Sequence, residues 1–510
     1  MEADLGNWRK AFWWKLHLRP GHLKKIDDLQ LPPLPPNVTL DKVYTDFLRF
    51  VNEQVQSAIE KKYGVGVQLW QTLASSAHYI FATPNGWEGS QQSFMRQAAV
   101  GAGLISPEAG RQVQFVTEAE ASIMYAAQTG VAGDWLQAGS KVIVADCGGG
   151  TVDITGFLIK QIHPLRLEEA SPPQCFFAGG VHIKIAAENY FRRKFSGTQW
   201  SQFTQEVVDF FDCSTKKKFD DPTKAAYPIR ISSDPRKRDP ALGIERNNVM
   251  VSGSDIATFF QPSIDKILEG LDAAYYEYGN KAIRDVILTG GLANSPFVYA
   301  AVLRWAEGRG VAVCRPDGPI SKAVSNGALA WWCLDASVTS HIAKYHIGTD
   351  ISVPFDNLDP DRRSRKVLYD CLTGENYVEH KWSEIIAKNC RTPSNKEFVE
   401  PYKINLTKKD SKIHVSQVYL FRGDIVPAFI TIPSNDQKTV PGFERLCTVE
   451  ADLKKLWDES PVLVSPETGE EYRQLVFKVC INIATPDITA RISFVKGRKT
   501  RYGPAVIAFD

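Results

Sequence analysis

Short apolar runs separated by glycines outline the middle of this chain. The runs Val142–Ala145 and Ile154–Ile159 flank the segment Asp146-Cys-Gly-Gly-Gly-Thr-Val-Asp153. Apolar, β-branched runs bounded by glycines predict buried strands, so this stretch is predicted to be two strands joined by a glycine turn. A further strand is predicted at Asp285–Thr289, followed by Gly290-Gly291 and a helix over residues 297–306. Two strand–glycine units about 140 residues apart suggest a two-lobed α/β molecule with a ligand in the cleft.

The first glycine turn has the composition of a phosphate-binding loop. Its three glycines carry no Cβ, so backbone N–H groups can crowd around an anion. Asp146 and Asp153 place carboxylates where a phosphate-bound Mg²⁺ or its waters would lie, and Thr151 adds a hydroxyl donor. No Gly-Lys-Ser/Thr is present and a strand follows, so the segment is neither a P-loop nor a Rossmann fingerprint. A tight hairpin turn with two incidental acids is the plainer interpretation of the same residues.

Helical periodicity predicts long amphipathic helices elsewhere. Thr39 is predicted to cap a helix that runs to about Lys62, and Ser254 a helix over about 255–279. We expect the first of these helices to bury one face, formed by Leu40, Val43, Phe47, Phe50, Val51, Val55 and Ile59. Shorter elements are predicted as strands at 77–84 and 114–117 and as helices over about 90–103 and 181–195.

From about residue 341 the helical periodicity largely disappears. Candidate strands are 412–421, 425–432, 446–452, 474–483 and 489–495. Because of Pro427, we expect the second of these to be an edge strand or to begin later. Apolar residues at 475, 477, 479 and 481 alternate with polar ones, which is typical of a half-buried strand. We therefore predict a β-rich C-terminal domain.

Composition narrows the class of protein. The 510 residues suffice for several domains, and the 44% hydrophobic and 23% charged fractions are those of an ordinary globular protein. A formal net charge of +2 gives no general attraction to nucleic acid or to an anionic membrane, so neither is expected as a partner. Nine dispersed cysteines without Cys-x-x-Cys spacing indicate reduced thiols, and no signal peptide or spanning apolar run is found. A cytoplasmic location is expected.

The glycine motifs and two helices together resemble a known superfamily. Residues 146–153 resemble the second phosphate motif of the actin and 70-kDa heat-shock protein ATPases, and Gly290–Pro296 resembles their adenosine motif. Residues 116–126 and 320–330 resemble the first and second connecting helices. The order and spacing of all four fit, over roughly residues 10–340, and the match is closest to the divergent, fungal- and animal-type branch of the heat-shock family.

The resemblance implies an α/β fold of the two-lobed, actin-like ATPase (ribonuclease H-like) type. Residues 1–145 would form a truncated first lobe to which 319–340 return, 146–318 a second lobe, and 341–510 the β-rich domain. The family's first phosphate hairpin, Asp-x-Gly-Thr-Thr, is not found in this sequence. The segment Asp4-Leu5-Gly6 is interpreted as a chance similarity to that motif. The lysine-bearing subdomain that follows this hairpin, the helical lid and a peptide-groove signature are not found either, and Ser321 replaces a common family Asp.

The same resemblance implies the residues of a nucleotide site that holds ATP or ADP with Mg²⁺. It assigns Asp146 to contact with the metal through water and Glu118 to orienting the attacking water or the metal shell. Asp153 would support the loop, and Gly179 and Gly180 would face the phosphates. The full set of implied binding residues is Gly148, Gly149, Gly150, Thr151, Asp153, Gly179, Gly180, Gly290, Gly291 and Asn294.

Three functions stay open on the sequence. The first is a divergent heat-shock-type nucleotide-binding protein with weak, impaired or absent ATPase activity. The second is a nucleotide-independent scaffold or regulator that keeps the fold for binding a protein partner or client. The third is an enzyme or accessory protein of specialised metabolism that uses the same cleft. No Ser-His-Asp set or metal-ligand cluster is found in the sequence to support the third.

Overall fold

The structure is a computed structural model, and the chain divides into two compact units, Met1–Val338 and Thr339–Asp510. It describes residues 9–23, 31–129, 136–232, 236, 238–277, 283–316, 322–334, 337–433, 435–483, 488–496 and 499–507. Asp4–Gly6 and Ser321, on which two of the expectations above depend, lie outside the described residues.

Unit 1 is built around a mixed sheet that contains the predicted glycine-flanked strands. Its strand order is β11-β10-β3-β4-β5, with β6 beside β4; β1 and β2 form a parallel pair, and β7, β9 and β8 a small antiparallel sheet. The strands are β1 Tyr79–Thr83, β2 Val113–Thr117, β3 Lys141–Cys147, β4 Val152–Gln161, β5 Arg166–Glu169, β6 Gln174–Phe176, β7 Tyr227–Arg230, β8 Ile244–Glu245, β9 Asn248–Val251, β10 Ile283–Thr289 and β11 Ala312–Cys314.

Helices accompany these strands, and most of the longer ones lie where the sequence predicts them, whereas Gly66–Ala74 and Thr204–Phe210 were not predicted. They are α1 Trp14–His17, α2 Leu40–Lys62, α3 Gly66–Ala74, α4 Gly89–Gly101, α5 Glu118–Gln128, α6 Gly180–Lys194, α7 Thr204–Phe210, α8 Lys216–Lys218, α9 Gly253–Glu277, α10 Pro296–Glu307 and α11 Ala323–Cys333. The Thr39 hydroxyl accepts the Lys42 N–H at 3.2 Å, so the predicted cap of α2 is confirmed. The predicted cap of α9 is wrong by two residues, because the hydroxyl of Ser252 rather than Ser254 accepts the Asp255 N–H, at 3.1 Å.

Strand β3 separates two hydrophobic cores because its side chains alternate between the faces of the sheet. Ile143, Ala145 and Cys147 face the core that α6, α9 and α10 complete. Val142 and Val144 face the core that α5 completes. Both faces of the strand are therefore buried, which explains why its sequence is a continuous apolar run.

The expectation that α2 buries its apolar face is wrong for most of that face. Phe50 is 56% exposed, and Phe47, Val51 and Val55 are between 40% and 46% exposed, whereas Tyr44 is buried. The spacing of apolar residues identifies which face of a helix can be buried. Burial also requires a neighbouring element, and little of the described chain covers this face of α2.

Unit 2 consists mainly of antiparallel strands. One sheet has the order β14-β15-β13-β18-β21, and a second has the order β17-β23-β24-β25, with β22 beside β23 and β26 beside β24. In addition, β12 pairs with β16, and β19 pairs with β20. The elements are β12 Ser337–Ile342, β13 His346–Pro354, α12 Pro360–Arg363, β14 Leu368–Asp370, β15 Glu375–Ile386, β16 Arg391–Pro393, β17 Glu397–Thr407, β18 Ile413–Phe421, β19 Thr431–Ile432, β20 Asn435–Thr439, β21 Phe443–Asp452, α13 Lys454–Glu459, β22 Leu463–Val464, β23 Glu471–Ile483, β24 Ile488–Lys496, β25 Lys499–Tyr502 and β26 Val506–Ile507.

The strands predicted in unit 2 from sequence alternation are confirmed at β18, β21, β23 and β24, and β19 begins after Pro427 as that proline predicts. Leu475, Phe477, Val479 and Ile481 of β23 are all buried in the core of this unit. Among the helices that the structure describes, none is long and apolar enough to cross a membrane.

Candidate functional site

The pairing of β3 with β4 brings two aspartates together at the glycine turn. The strands pair antiparallel up to Cys147 opposite Val152, and this register puts Asp146 directly opposite Asp153. Side chains in opposite positions lie on the same face of a sheet, so the two carboxylates are neighbours. The turn itself is Gly148–Thr151 and is closed by a hydrogen bond of 2.9 Å from the Gly148 N–H to the Thr151 carbonyl.

Helix α6 begins against the back of this turn. The N–H groups of Gly179, Gly180 and Val181 donate to three consecutive carbonyls of the turn, those of Gly150, Gly148 and Gly149 respectively, at 3.2, 3.1 and 2.8 Å. The first amides of a helix have no intrahelical acceptor, and here the turn supplies one for each. Gly179 and Gly180 thus hold the turn in place, and their predicted contact with phosphate stays a prediction.

These three hydrogen bonds determine which way the other amides of the turn point. In a planar trans peptide the N–H lies opposite the C=O, so the N–H groups of Gly149, Gly150 and Thr151 point away from α6. Within the residues that the structure describes, none of these three amides donates a hydrogen bond. Successive amides that converge in this way form a concavity that binds anions.

Close packing explains why a glycine stands at position 179. A Cβ on Gly179 would lie 2.6 Å from the carbonyl carbons of both Gly149 and Gly150. By contrast, a Cβ on Gly149 would meet no atom within 4 Å, and Gly149 is exposed. The turn is therefore packed tightly on the α6 side and open at Gly149. Leu16 of α1 packs on the neighbouring Gly150, where a Cβ would lie 2.7 Å from Leu16 Cδ2, and Thr151 is buried.

The second glycine pair lies beside the first. Strand β10 pairs parallel with β3 and places Thr289 opposite Asp146. Gly290 has a positive φ of 89°, and a Cβ there would lie 2.3 Å from the Cys147 carbonyl oxygen and 2.4 Å from Asp146 Oδ1. Gly291 is exposed with no atom within 4 Å of its Cβ position, and Asn294 is exposed at the end of the short 3₁₀ turn Leu292–Asn294. The structure thus brings both predicted glycine motifs to one edge of one sheet.

Hydrogen bonds that the sequence did not reveal support the aspartates. Asp146 Oδ2 accepts from the Ser122 hydroxyl of α5 at 3.1 Å, and Ser122 in turn accepts from Thr289 at 3.1 Å. Asp153 Oδ1 accepts the backbone N–H of Asn85 at 2.6 Å. Asn85 stands in the Pro84–Trp87 turn after β1, so Asp153 joins this turn to the central hairpin.

The ammonium of Lys15 lies against Glu118, and no other lysine among the described residues does. Its Nζ lies 2.5 Å from Glu118 Oε1, and Glu118 is the first residue of α5. Trp14 packs edge-to-face on Tyr44, and Leu18 lies in the same small core, which anchors α1 on both sides of Lys15. The only signal of this ion pair in the sequence was a lysine between aromatic and leucine residues. The expectation about the family's lysine-bearing subdomain stays a prediction.

The electrostatics of this site favour a cation. Burial raises the pKa of both Asp146 and Asp153, and the charge of Glu118 raises both further. Desolvation alone would lower the pKa of Lys15, but the charges of Glu118, Asp153 and Asp146 outweigh it and raise that pKa. Burial, together with both aspartates, raises the pKa of the Cys147 thiol well above its usual range, so this thiol is a buried side chain and not a nucleophile.

The residues that surround the turn fit Mg²⁺ with a phosphate. Carboxylate oxygens are hard ligands of the kind that Mg²⁺ takes, and free amide N–H groups can donate hydrogen bonds to phosphate oxygens. The open space at Gly149 and Gly291, which a side chain would fill, leaves room for such a ligand.

A second candidate site lies within unit 2, where a sheet opens. β13 and β18 pair only from His346 opposite Phe421 to Thr349 opposite Val418, and no pairing between them is found beyond this in the described strands. The remainder of β13, to Pro354, and of β18, back to Ile413, diverge and line a cleft of about 990 Å³, which we call the wedge. Tyr402 of β17 and Phe477 of β23 line it too. The wedge could not be predicted from the sequence, because it depends on where the pairing of β13 with β18 stops.

Comparison with known proteins finds distant relatives. Human heat shock 70 kDa protein 12A is 22% identical over 342 residues, which are 51% of this chain and 49% of that protein. Human heat shock 70 kDa protein 12B is 23% identical over 315 residues, 47% of this chain and 46% of that protein. The mouse 12A protein gives 22% over 339 residues, 51% of this chain and 49% of that protein. The chain spans about half the length of the curated relatives it matches, and no family model matches it.

Proposed function

Because the chain is a divergent member of the 70-kDa heat-shock protein family, we propose that it binds ATP or ADP with Mg²⁺ at the two glycine turns. In this proposal residues 1–145 with 319–340, and residues 146–318, are the two lobes around the nucleotide. Residues 341–510 form a β-rich domain for a protein client.

One observation carries the nucleotide assignment. The carbonyls of Gly148, Gly149 and Gly150 are all bonded to the start of α6, so the following three amides face the opposite side, which is open at Gly149. Neutral packing does not require three unsatisfied amides in a row beside two carboxylates, whereas a phosphate–metal pair satisfies both groups at once. Gly290, Gly291 and Asn294 border the same edge and would take the adenosine.

The Mg²⁺ would be held near Asp146, through water, with Asp153 beside it. When bound, it supplies positive charge that offsets the phosphate oxygens during phosphoryl transfer. The chain's own residues position the reactants: the turn amides bind phosphate, Ser122 orients Asp146, and Asn85 fixes Asp153.

We propose that hydrolysis is weak in this protein. Glu118, the candidate for orienting the attacking water, is held by the Lys15 ammonium at 2.5 Å and its side chain is only 12% exposed. Water must compete with that ammonium for the carboxylate.

Two substitutions test nucleotide binding without disturbing the fold. Gly149→Val and Gly291→Val place side chains where the protein has no atom within 4 Å of the Cβ position, so we expect both variants to keep the wild-type melting temperature without ligand. We expect millimolar Mg-ATP to raise the melting temperature of the wild type and of the control Gly64→Val, whose Cβ position is equally open. Neither site variant, nor Asp146→Ala, should show this rise.

Three outcomes distinguish nucleotide binding from the two alternative functions. If wild-type protein shows no stabilisation by Mg-ATP or Mg-ADP and no heat of binding by calorimetry, nucleotide binding is refuted. If a protein partner is then captured equally by the wild type and by Gly149→Val, the nucleotide-binding function is replaced by that of a nucleotide-independent scaffold. Loss of one metabolite on gene deletion, restored by purified protein, would instead support a role in specialised metabolism.

Client binding is a second candidate function, and the wedge of unit 2 favours it. Strands that diverge within a sheet leave backbone donors and acceptors to which an extended segment can add. Val415 and Val476, which line the wedge and are 50% and 54% exposed, offer apolar surface beside these edges. Capture of unfolded, labelled polypeptide by the whole chain, measured by fluorescence anisotropy, tests this role.

A further inference from the structure

We propose that the Lys15 ammonium is a resident cation of the candidate site, which competes with a divalent metal for the Glu118 carboxylate. This inference rests on the proposed nucleotide function and adds how the chain itself controls access of the metal to that site. Three observations carry it: the path of α1 across the glycine turn, the contacts of the ammonium, and the number of carboxylates around it.

The segment that contains α1 crosses the glycine turn. At one end, Lys15 reaches the first residue of α5. In the middle, Leu16 is only 4% exposed, and its Cδ2 lies 2.7 Å from the Cβ position of Gly150. At the other end, the Arg19 guanidinium lies over the Phe177 ring, 5.6 Å from its centroid and just before α6. The backbone of Lys15 is therefore fixed beside the turn, and its flexible side chain is the part that can change position.

The ammonium has two partners that attract a cation. Its Nζ lies 2.5 Å from Glu118 Oε1 and 5.7 Å from the centroid of the Trp87 ring. A carboxylate attracts an ammonium by charge, and the face of an indole attracts it through the ring quadrupole. The Glu118 side chain is 12% exposed and Trp87 is 5% exposed, so neither partner is a freely moving surface group. The ammonium thus lies where the fold favours a positive charge.

Three carboxylates act on this one ammonium. Asp146 lies opposite Asp153 in the paired strands, and Glu118 begins the helix α5, which packs on β3. Desolvation disfavours the charged ammonium, but the charges of Glu118, Asp153 and Asp146 outweigh it and raise the pKa of Lys15. Lys15 therefore offsets part of the negative charge that would otherwise attract a metal.

The ammonium and a metal cannot share Glu118 without repulsion. Mg²⁺ takes carboxylate oxygens at about 2.0–2.1 Å or binds them through its ordered waters. Glu118 Oε1 already accepts the ammonium, and a metal on the other oxygen of this carboxylate would lie beside a like charge. The Lys15 side chain must therefore leave Glu118 before a metal or its waters bind there. This side chain is 46% exposed, so it has solvent into which it can move.

Binding of Mn²⁺ to the full-length protein without nucleotide tests this competition, with free Mn²⁺ measured by electron paramagnetic resonance. We expect Lys15→Met to bind Mn²⁺ about three- to fivefold more tightly than the wild type, which is the weight of one partly exposed ion pair. Lys15→Arg keeps the positive charge and should stay at the wild-type affinity. The control Lys61→Met removes an exposed lysine of α2 and should also stay there.

A second comparison locates the effect at Glu118. In Glu118→Gln the carboxylate for which lysine and metal compete is removed. Adding Lys15→Met to this variant should therefore increase the Mn²⁺ affinity much less than it does in the wild type. An ion pair that serves stability alone would lower the melting temperature when broken and would leave the Mn²⁺ affinity unchanged.

Several outcomes would overturn the proposal. These are equal Mn²⁺ affinity of the wild type and Lys15→Met, an equal gain in Lys15→Arg and Lys15→Met, and a gain that persists in full when Glu118 is glutamine. Absence of Mn²⁺ binding by every variant overturns it as well. Because no nucleotide is present, none of these results decides nucleotide binding, which the Mg-ATP melting experiment judges separately.

Discussion

Replacing Gly179 by alanine tests the contact on which the nucleotide site depends. The added Cβ would lie 2.6 Å from the carbonyl carbons of Gly149 and Gly150 and 2.7 Å from the Gly149 oxygen. All three are backbone atoms of a turn that α6 holds by hydrogen bonds, so none can rotate away as a side-chain tip would. The start of α6 must move back from the turn.

The expected cost follows from three effects. Overpacking of this kind costs about 1–3 kcal/mol, and weakening three amide–carbonyl hydrogen bonds adds up to about 1 kcal/mol each. Alanine also lowers the entropy of the unfolded chain, which offsets about 0.4–1 kcal/mol of this cost. We therefore expect a net loss of about 2–3 kcal/mol, which corresponds to a fall of about 3–4 °C in melting temperature for a unit of the size of Met1–Val338.

Urea unfolding and thermal melting of the ligand-free protein measure this loss. Gly149→Ala is the matched control: it adds the same methyl group to the other side of the contact, where no atom lies within 4 Å. We expect the control to stay within about 0.5 kcal/mol of the wild type. If Gly179→Ala is as stable as Gly149→Ala, α6 does not press on the turn. The argument that the free amides face outward then fails with it.

Two further changes probe the charges around the site. Lys15→Met removes the ammonium from Glu118 and should destabilise the ligand-free protein by about 1 kcal/mol, since the side chain is 46% exposed and solvent screens the pair. The control Lys61→Met, at an exposed position, should have no such effect in urea titrations. His182→Gln tests pH dependence, because burial lowers the pKa of His182 below its usual value. The unfolded chain then binds more protons, so stability falls as pH drops through about 6.5. The melting temperature should fall less between pH 7 and 5.5 in His182→Gln than in the wild type, and equal falls would contradict this.

The central hairpin was predictable because every signal for it is local. The two apolar runs give the strands, and the three glycines and Thr151 give the turn, all within twenty residues. The residues that complete the site are not local. Lys15 and Glu118 are 103 positions apart in the sequence, and Asn85 and Asp153 are 68 positions apart. Neither Lys15 nor Asn85 lies in a motif from which its partner could be predicted. Only the folded chain brings them together.

The strands missed in unit 2 illustrate a different limit. β15 has the sequence Glu-Asn-Tyr-Val-Glu-His-Lys-Trp-Ser-Glu-Ile-Ile, in which polar residues outnumber apolar ones and break the alternation. It is nevertheless a strand of 12 residues, because β13 and β14 pair with it on either side. Backbone pairing with distant strands stabilises it, and the propensity of its own residues does not reveal this.

The fold requires glycine at some positions of the site and not at others. Gly179 and Gly290 are explained by packing, since a Cβ at either position would lie within 2.6 Å of backbone atoms. Gly149 and Gly291 have no neighbour within 4 Å of a Cβ position, and neither has the positive φ that favours glycine. Folding alone therefore gives no reason for glycine at these two positions. A ligand that approaches the backbone closely would give one, and both positions lie at the edge where the free amides and Asp146 meet.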